Sequence, residues 1–185
     1  MATNPLPVFV SDFTKLPEAI LIDLINYDNN TSFVPGLLSF GIPHTLVNDV
    51  RVRNTSLQVS ANPISNLSGS VVVYYNRVDL NVVPGIRSID FLIPEGVSRV
   101  ADIIPLINSR FGIRLTIYDI ENDFLPTLTD NYAGFSIITD ASSLVWVNRL
   151  DIRIKRATPG TIDLSTVFTT HDLDVFQYAP PLPDV

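Results

Sequence analysis

The stretch SGSVVVYYNRVDL, residues 68–80, constrains the fold more than any other part of the chain. Val71, Val72, Val73, Tyr74 and Tyr75 are β-branched or aromatic, the types that suit a pleated strand. Side chains alternate between the two faces of a strand, so this run is apolar on both. Polarity returns only at Asn76, Arg77 and Asp79. Such a strand predicts cover on two sides. One face is expected to meet the core of its own sheet, and the second to meet either helices packed on that sheet or a neighbouring chain; the helices are the favoured reading, with subunit contact falling mainly on the arms.

Two segments have helical spacing. In KLPEAILIDLINYDNN, residues 15–30, Leu16, Ile20, Leu24 and Tyr27 share a face, with Leu21 and Ile25 beside them. Pro17 and Glu18 suit the first turn, and Asp28, Asn29 and Asn30 end the helix. Only Glu18, Asp23 and Asn26 break its apolar circumference, which predicts burial on more than one side. In GVSRVADIIPLINSRFG, residues 96–112, Val100, Ile104, Ile107 and Phe111 form one face and Gly112 is a stop. Pro105 inside it predicts a kink or a split.

The rest reads as strands and turns. Candidate strands are 36–42, 50–60, 86–93, 134–139 and 144–156. Within 50–60 the alternation slips by one residue, which predicts a bulge or break near Asn54. Leu150, Ile152 and Ile154 are expected to face inward, with Arg149, Asp151, Arg153 and Lys155 outward. Residues 113–133 read as loop, with one helical turn around Tyr118–Asp123.

The termini differ from this body. Residues 1–13 carry Pro5 and Pro7 before Val8, Phe9 and Val10, the pattern of an extended arm or short edge strand. Residues 157–185 contain four aspartates and no lysine or arginine, disperse apolar residues such as Phe168, Val175, Phe176 and Tyr178, and end in YAPPLPDV. They read as an edge strand with a tail, or as an arm for another subunit. The division is therefore an N-terminal arm (1–13), a core domain (14–156) and an acidic C-terminal arm or edge strand (157–185). The expected fold class is α+β: an antiparallel β-sheet or small β-sandwich with two packed helices and extended N- and C-terminal arms.

Composition decides between a solitary and an assembled domain. Charged residues make up 17% of the chain, against roughly 25% in ordinary soluble domains. So little ionic coating fits a compact fold with a Ser, Thr and Asn surface or a surface partly covered by other subunits, and the second is the favoured expectation. Val8, Phe9, Val10, Phe168, Val175, Phe176 and Tyr178 are the expected contact residues. Arg149, Arg153 and Lys155, with Arg156, form the basic cluster. They are read as the wet face of a strand or a docking face for a neighbour's acidic tail. The net charge of −7 argues against direct nucleic-acid binding and against anionic membranes. No segment is long and apolar enough to predict a bilayer span, and MATNPLPVFV lacks the features of a signal peptide, so a soluble chain is expected. Without a secretion signal, the sequons at Asn29, Asn54 and Asn66 are read as chance.

Catalytic and metal signals are weak. There are no cysteines and two histidines, His44 and His171, and no G-x-S-x-G elbow. A hydrolase would need one of those histidines in a pocket beside an acid. Asp119, Glu121, Asp123 and Asp130 fall at calcium-loop positions, but Phe124 stands where the loop needs glycine. Trp146, Tyr74 and Tyr75 could be sugar-stacking platforms, or core and cross-strand aromatics.

Several stretches carry a family likeness. Asp28-Asn29-Asn30-Thr31 ends the first helix, NLSGSVVVYYNRVDL follows, then INSRFGIRLTIYDIEND and GFSIITDASSLVWVNRLDIRI. Over residues 15–156 the chain resembles a domain of virion structural proteins from large (jumbo) tailed bacteriophages. The resemblance implies a non-enzymatic particle component without cofactors, assembled in the host bacterial cytoplasm and located in the virion. Implied partners are other virion proteins, such as major capsid or tail and neck subunits, with the chain present in many copies or as a homo-oligomer. The alternative is a carbohydrate-binding module at a tail or fibre tip.

Overall fold

The computed structural model describes residues 10–47, 50, 52–85, 87–129 and 131–157. Those residues form an α+β domain in which helix α1, Pro17–Asn29, serves two hydrophobic cores. Pro17 begins the helix where a missing N–H costs nothing. Asn30 ends it in the left-handed conformation, at φ 51°. Asn26 then holds the returning chain: Phe33 N–H donates to its Oδ1 at 2.7 Å, and its Nδ2 donates to the Phe33 carbonyl at 2.8 Å. Ile20 belongs to the larger core and Leu21 to the smaller. This is the two-sided burial that the greasy circumference predicts.

The larger core lies between helix α2, Val100–Phe111, and a three-stranded sheet. That sheet contains β6 (Asp90–Ile93), β7 (Ala133–Ile138) and β9 (Arg149–Arg156), in the order β6-β9-β7. β7 is antiparallel to β9, whereas β6 is parallel to it, with the α2 segment lying between them in sequence. Leu150, Ile152 and Ile154 face inward as expected, as do Val100, Ile104, Ile107 and Phe111. Pro105 does not split α2. It sits on the exposed side, where water can reach the carbonyl that its missing N–H leaves unpaired.

The smaller core lies between α1 and a four-stranded antiparallel sheet: β1 (Leu38–Phe40), β2 (His44–Thr45), β3 (Thr55–Ala61) and β4 (Ser70–Tyr75). β1 and β2 share one edge of β3, and β4 takes the other. Between Phe40↔Val59 and His44↔Ser56 the register advances by one, so Gly41–Pro43 carries an extra residue. A short parallel pair, β5 (Val78–Asp79) with β8 (Trp146–Val147), joins the two bodies.

Three expected strands differ. The strand expected over 50–60 begins only at Thr55, and Val50 and Val52 are exposed. Val52 has φ 57°, which a strand cannot accommodate. The run 144–156 breaks at Asn148, also left-handed at φ 66°. There the Asn148 carbonyl accepts from Thr139 N and Oγ1, and its Nδ2 donates to Asp79 Oδ2 at 2.7 Å. The stretch 68–80 divides into β4 and β5 around Asn76 and Arg77. The expected helical turn is a 3-10 turn at Ile117–Asp119. Among the described residues, no helix is long and apolar enough to cross a membrane.

Candidate functional site

The four-stranded sheet carries the unusual surface. No aspartate, glutamate, lysine or arginine occurs from Asn29 to Asn48 or from Asn54 to Asn76, so all four strands are uncharged. Val73 and Tyr75 of β4 turn inward to join Leu21, Leu38, Leu57 and Val59. The opposite face of β4 is not covered by helices, contrary to expectation. Val72 is 51% exposed, and even Val71, on the inner side, is 60% exposed. The reason is geometric: α1 packs on one face of this sheet, while α2 belongs to the other core.

Among the described residues, β4 is also an edge strand. The Ala61 N–H donates to the Gly69 carbonyl at 3.0 Å, which fixes the phase of the β3–β4 ladder. Residues 71, 73 and 75 therefore bond to β3, and the backbone groups of Ser70 and Val72 point away from it. Among the described residues, no strand pairs with that side. Beside the edge an apolar groove of about 440 Å³ opens between α1 and the sheet, lined by Ile25, Phe33, Leu67, Val71 and Val73 among others.

A buried polar node ties this sheet to the rest. Arg77 is 5% exposed. Its Nε donates to Thr55 Oγ1 at 3.0 Å, Nη2 to Thr45 Oγ1 at 3.0 Å, and Nη1 to the carbonyls of Ala141 and Ser143 at 3.1 Å. Burial lowers its pKa, partly offset by Tyr75. Tyr75 donates its hydroxyl to the Leu144 carbonyl at 2.7 Å. The guanidinium also lines a polar hollow with Asn54, Thr139, Asp140 and Asn148. Four of its N–H groups are engaged with neutral oxygens of the protein, and the Asp140 carboxylate nearby is bonded to Ser142, which lowers its pKa. The arrangement is a clamp between layers.

The other candidates are placed as follows. Arg153 forms a two-bond ion pair with Asp90, its register partner on β6, at 2.6 and 2.7 Å, and Asp90 raises its pKa. Arg149 pairs with Asp151 at 3.0 Å, and Arg156 lies 3.6 Å from Glu95. Lys155 lies over the Tyr132 ring, 4.8 Å from its centroid. The basic face is thus largely matched by acids of its own chain. Val10 is exposed, while Phe13 packs on Trp146 with ring centroids 5.2 Å apart. Val8, Phe9, Phe168, Val175, Phe176 and Tyr178 lie outside the described residues, as does His171.

The catalytic, metal and sugar-binding candidates are not brought together. The imidazole of His44, exposed on β2, makes no hydrogen bond or ion pair with a described residue. Asp119 is buried and pins the 3-10 turn: Oδ2 accepts from Thr116, and Oδ1 from Ser143 Oγ at 2.7 Å. Among the described residues, no group of three or more His, Cys, Asp or Glu could hold a metal. Trp146 is fully buried and Tyr75 nearly so, so neither presents a ring face to a sugar.

The open β4 edge is the feature that sequence reading missed. Its signal was present in the absence of any charge from Asn54 to Asn76. No curated protein and no solved structure matches the chain. A family profile does match, over residues 11–182, so that it extends past the strand ending at Arg156 into the C-terminal segment. The chain belongs to that family, DUF7941, a family of unknown function.

Proposed function

We propose that this chain is a non-enzymatic structural component of a tailed-phage virion, as a capsid decoration or minor capsid protein or a neck or tail protein, and that it acts by burying surface against other subunits. The observation that carries this reading is the uncharged four-stranded sheet with its open apolar edge. Natural domains that live alone blunt such edges with charge, proline or a bulge. At about 25 cal/mol per Å², burying a few hundred Å² per contact contributes several kcal/mol per copy before ordering costs. Repetition over many copies multiplies that gain. The phage setting rests on the resemblance read from the sequence over residues 15–156.

Quantitative mass spectrometry of purified particles from a phage that encodes the chain tests the reading. The expected result is its presence at a fixed, multiple copy number that survives stringent purification. Its absence from particles, with the protein abundant in the lysate, overturns the proposal.

A further inference from the structure

We propose that Leu173–Tyr178, in the C-terminal segment, dock in the apolar groove between α1 and β4 of their own chain. The proposal goes beyond the assembly reading. It assigns the groove and the strand edge beside it to the chain itself, and leaves the outer face of the uncharged sheet to other subunits.

The groove suits an apolar, strand-forming occupant. Its lining contains no aspartate, glutamate, lysine or arginine, and Leu67 and Val71 remain 40% and 60% exposed there. The backbone groups of Ser70 and Val72 that point away from β3 lie beside it and can receive an added strand. In LDVFQY, residues 173–178, Val175, Phe176 and Tyr178 are strand formers, and no proline interrupts them. Alternation puts Leu173 and Val175 on one side, for the groove, and Asp172 and Asp174 on the other, for water.

The family match, the length of the chain and its charge select this occupant. The match runs from residue 11 to residue 182. It takes in the C-terminal segment and leaves out Val8, Phe9 and Val10, the apolar residues of the N-terminal one. A segment that recurs with the body as one unit is expected to pack on it. Ala157 is anchored by its N–H to the Ile93 carbonyl at 2.9 Å. From there to Leu173 the extended chain reaches about 50 Å, whereas a body of this size has a radius of gyration of about 15 Å. The tether sets an effective concentration on the order of mM for the chain's own groove. A second copy has no such advantage, and a net charge of −7 on each chain repels it.

The test follows amide exchange of Val72 by NMR in the full chain at two concentrations. The Val72 N–H points away from β3, so its protection reports cover on the edge. Wild type is expected to exchange roughly tenfold more slowly than a double variant, Leu173→Asp with Val175→Asp, at both concentrations. Amides of β9 should be equally protected in both proteins, which shows that the body stays folded. Equal Val72 exchange overturns the proposal. So does protection that rises with concentration, which makes a second copy the occupant. The chain has no cysteine, so Val71→Cys with Val175→Cys gives a second measurement. A short bismaleimide is expected to link the two within one chain, at monomer mass. Covalent dimers alone, or no link, overturn the docking. If the docking fails in a chain abundant in particles, the assembly reading stands. If it holds in a chain absent from particles, only the assembly reading falls.

Discussion

The side chain of Asn54 pairs with the backbone of Arg77 as a neighbouring strand would: its Oδ1 accepts the Arg77 N–H at 2.8 Å and its Nδ2 donates to the Arg77 carbonyl at 2.9 Å. The exchange is reciprocal, since Asn54 N–H donates to Asn76 Oδ1 at 2.9 Å. One amide thus extends the β3–β4 ladder beyond the last regular pair, Thr55↔Tyr75. It also holds Arg77 at the entrance to β5.

Asn54→Ala leaves the Arg77 N–H and carbonyl without these partners in a partly buried setting. A loss of about 2 kcal/mol is expected, from two hydrogen bonds at about 1 kcal/mol each. Urea denaturation of the variant beside Gln58→Ala, an exposed position expected to stay within about 0.5 kcal/mol of wild type, checks it. Equal stability of the two variants would show that water replaces the amide at no cost.

How much of this was legible in the sequence depends on where the decisive contact lies. The inward residues of β9 follow from strict alternation, because one face of that strand meets α2 and the other meets water. The two-sided burial of α1 follows from its greasy circumference. The slip at Asn54 was visible, but its cause was not: the partner, Arg77, is 23 residues away. Val52 adopts positive φ without being a turn former, so nothing marked that break; Asn148 is of a type that tolerates the left-handed region, but it stood inside an otherwise alternating run. The uncovered face of β4 was misassigned because periodicity counts apolar residues without saying which helix reaches them. α2 joined the other core. The charge-free run was the better guide, since it marks the whole sheet.

Arg77 is a fixed fork between two layers, and its geometry matters more than its charge. Thr45 and Thr55 lie on the four-stranded sheet, and Ala141 and Ser143 precede β8. Arg77→Ala should cost about 3 kcal/mol, the scale of several buried acceptors left unmet. Arg77→Lys keeps the charge but cannot place donors in both directions, so it should recover less than half of the loss. Thermal and urea unfolding of both variants decides the point. A lysine variant as stable as wild type would mean that the positive charge, and not the fork, holds the layers together.

Trp146 fills the junction with its indole and leaves its Nε1–H buried without a partner among the described residues. Burying such a donor costs about 1–3 kcal/mol. Trp146→Phe removes the donor while keeping an aromatic ring against Phe13, so the lost volume and the relieved N–H should nearly cancel. A change within about 1 kcal/mol is expected, against about 3–5 kcal/mol for Trp146→Ala. Calorimetric melting of both variants measures the two costs. A phenylalanine variant as damaged as the alanine variant would show that the indole N–H has a partner in solution.

Tyr75 links the fold to alkaline pH. Burial pushes its pKa up to about 12, and the charge of Arg77 pulls the other way but less strongly. In the unfolded chain a tyrosine titrates near 10. The neutral phenol is therefore favoured in the folded state, and between those pH values the unfolded chain holds fewer protons. Its contribution is fully present below about pH 10 and is lost as pH rises toward 12, by about 3 kcal/mol in all. Tyr75→Phe should be less stable than wild type at neutral pH by about 1 kcal/mol, through the lost bond to the Leu144 carbonyl. Its stability should then decline less steeply above pH 10, because the variant has no phenol to ionise at this site. Urea titrations at a series of alkaline pH values compare the slopes. Parallel slopes for the two proteins would mean that Tyr75 ionises in the folded state as freely as in the unfolded chain, and that its hydroxyl is not held away from water.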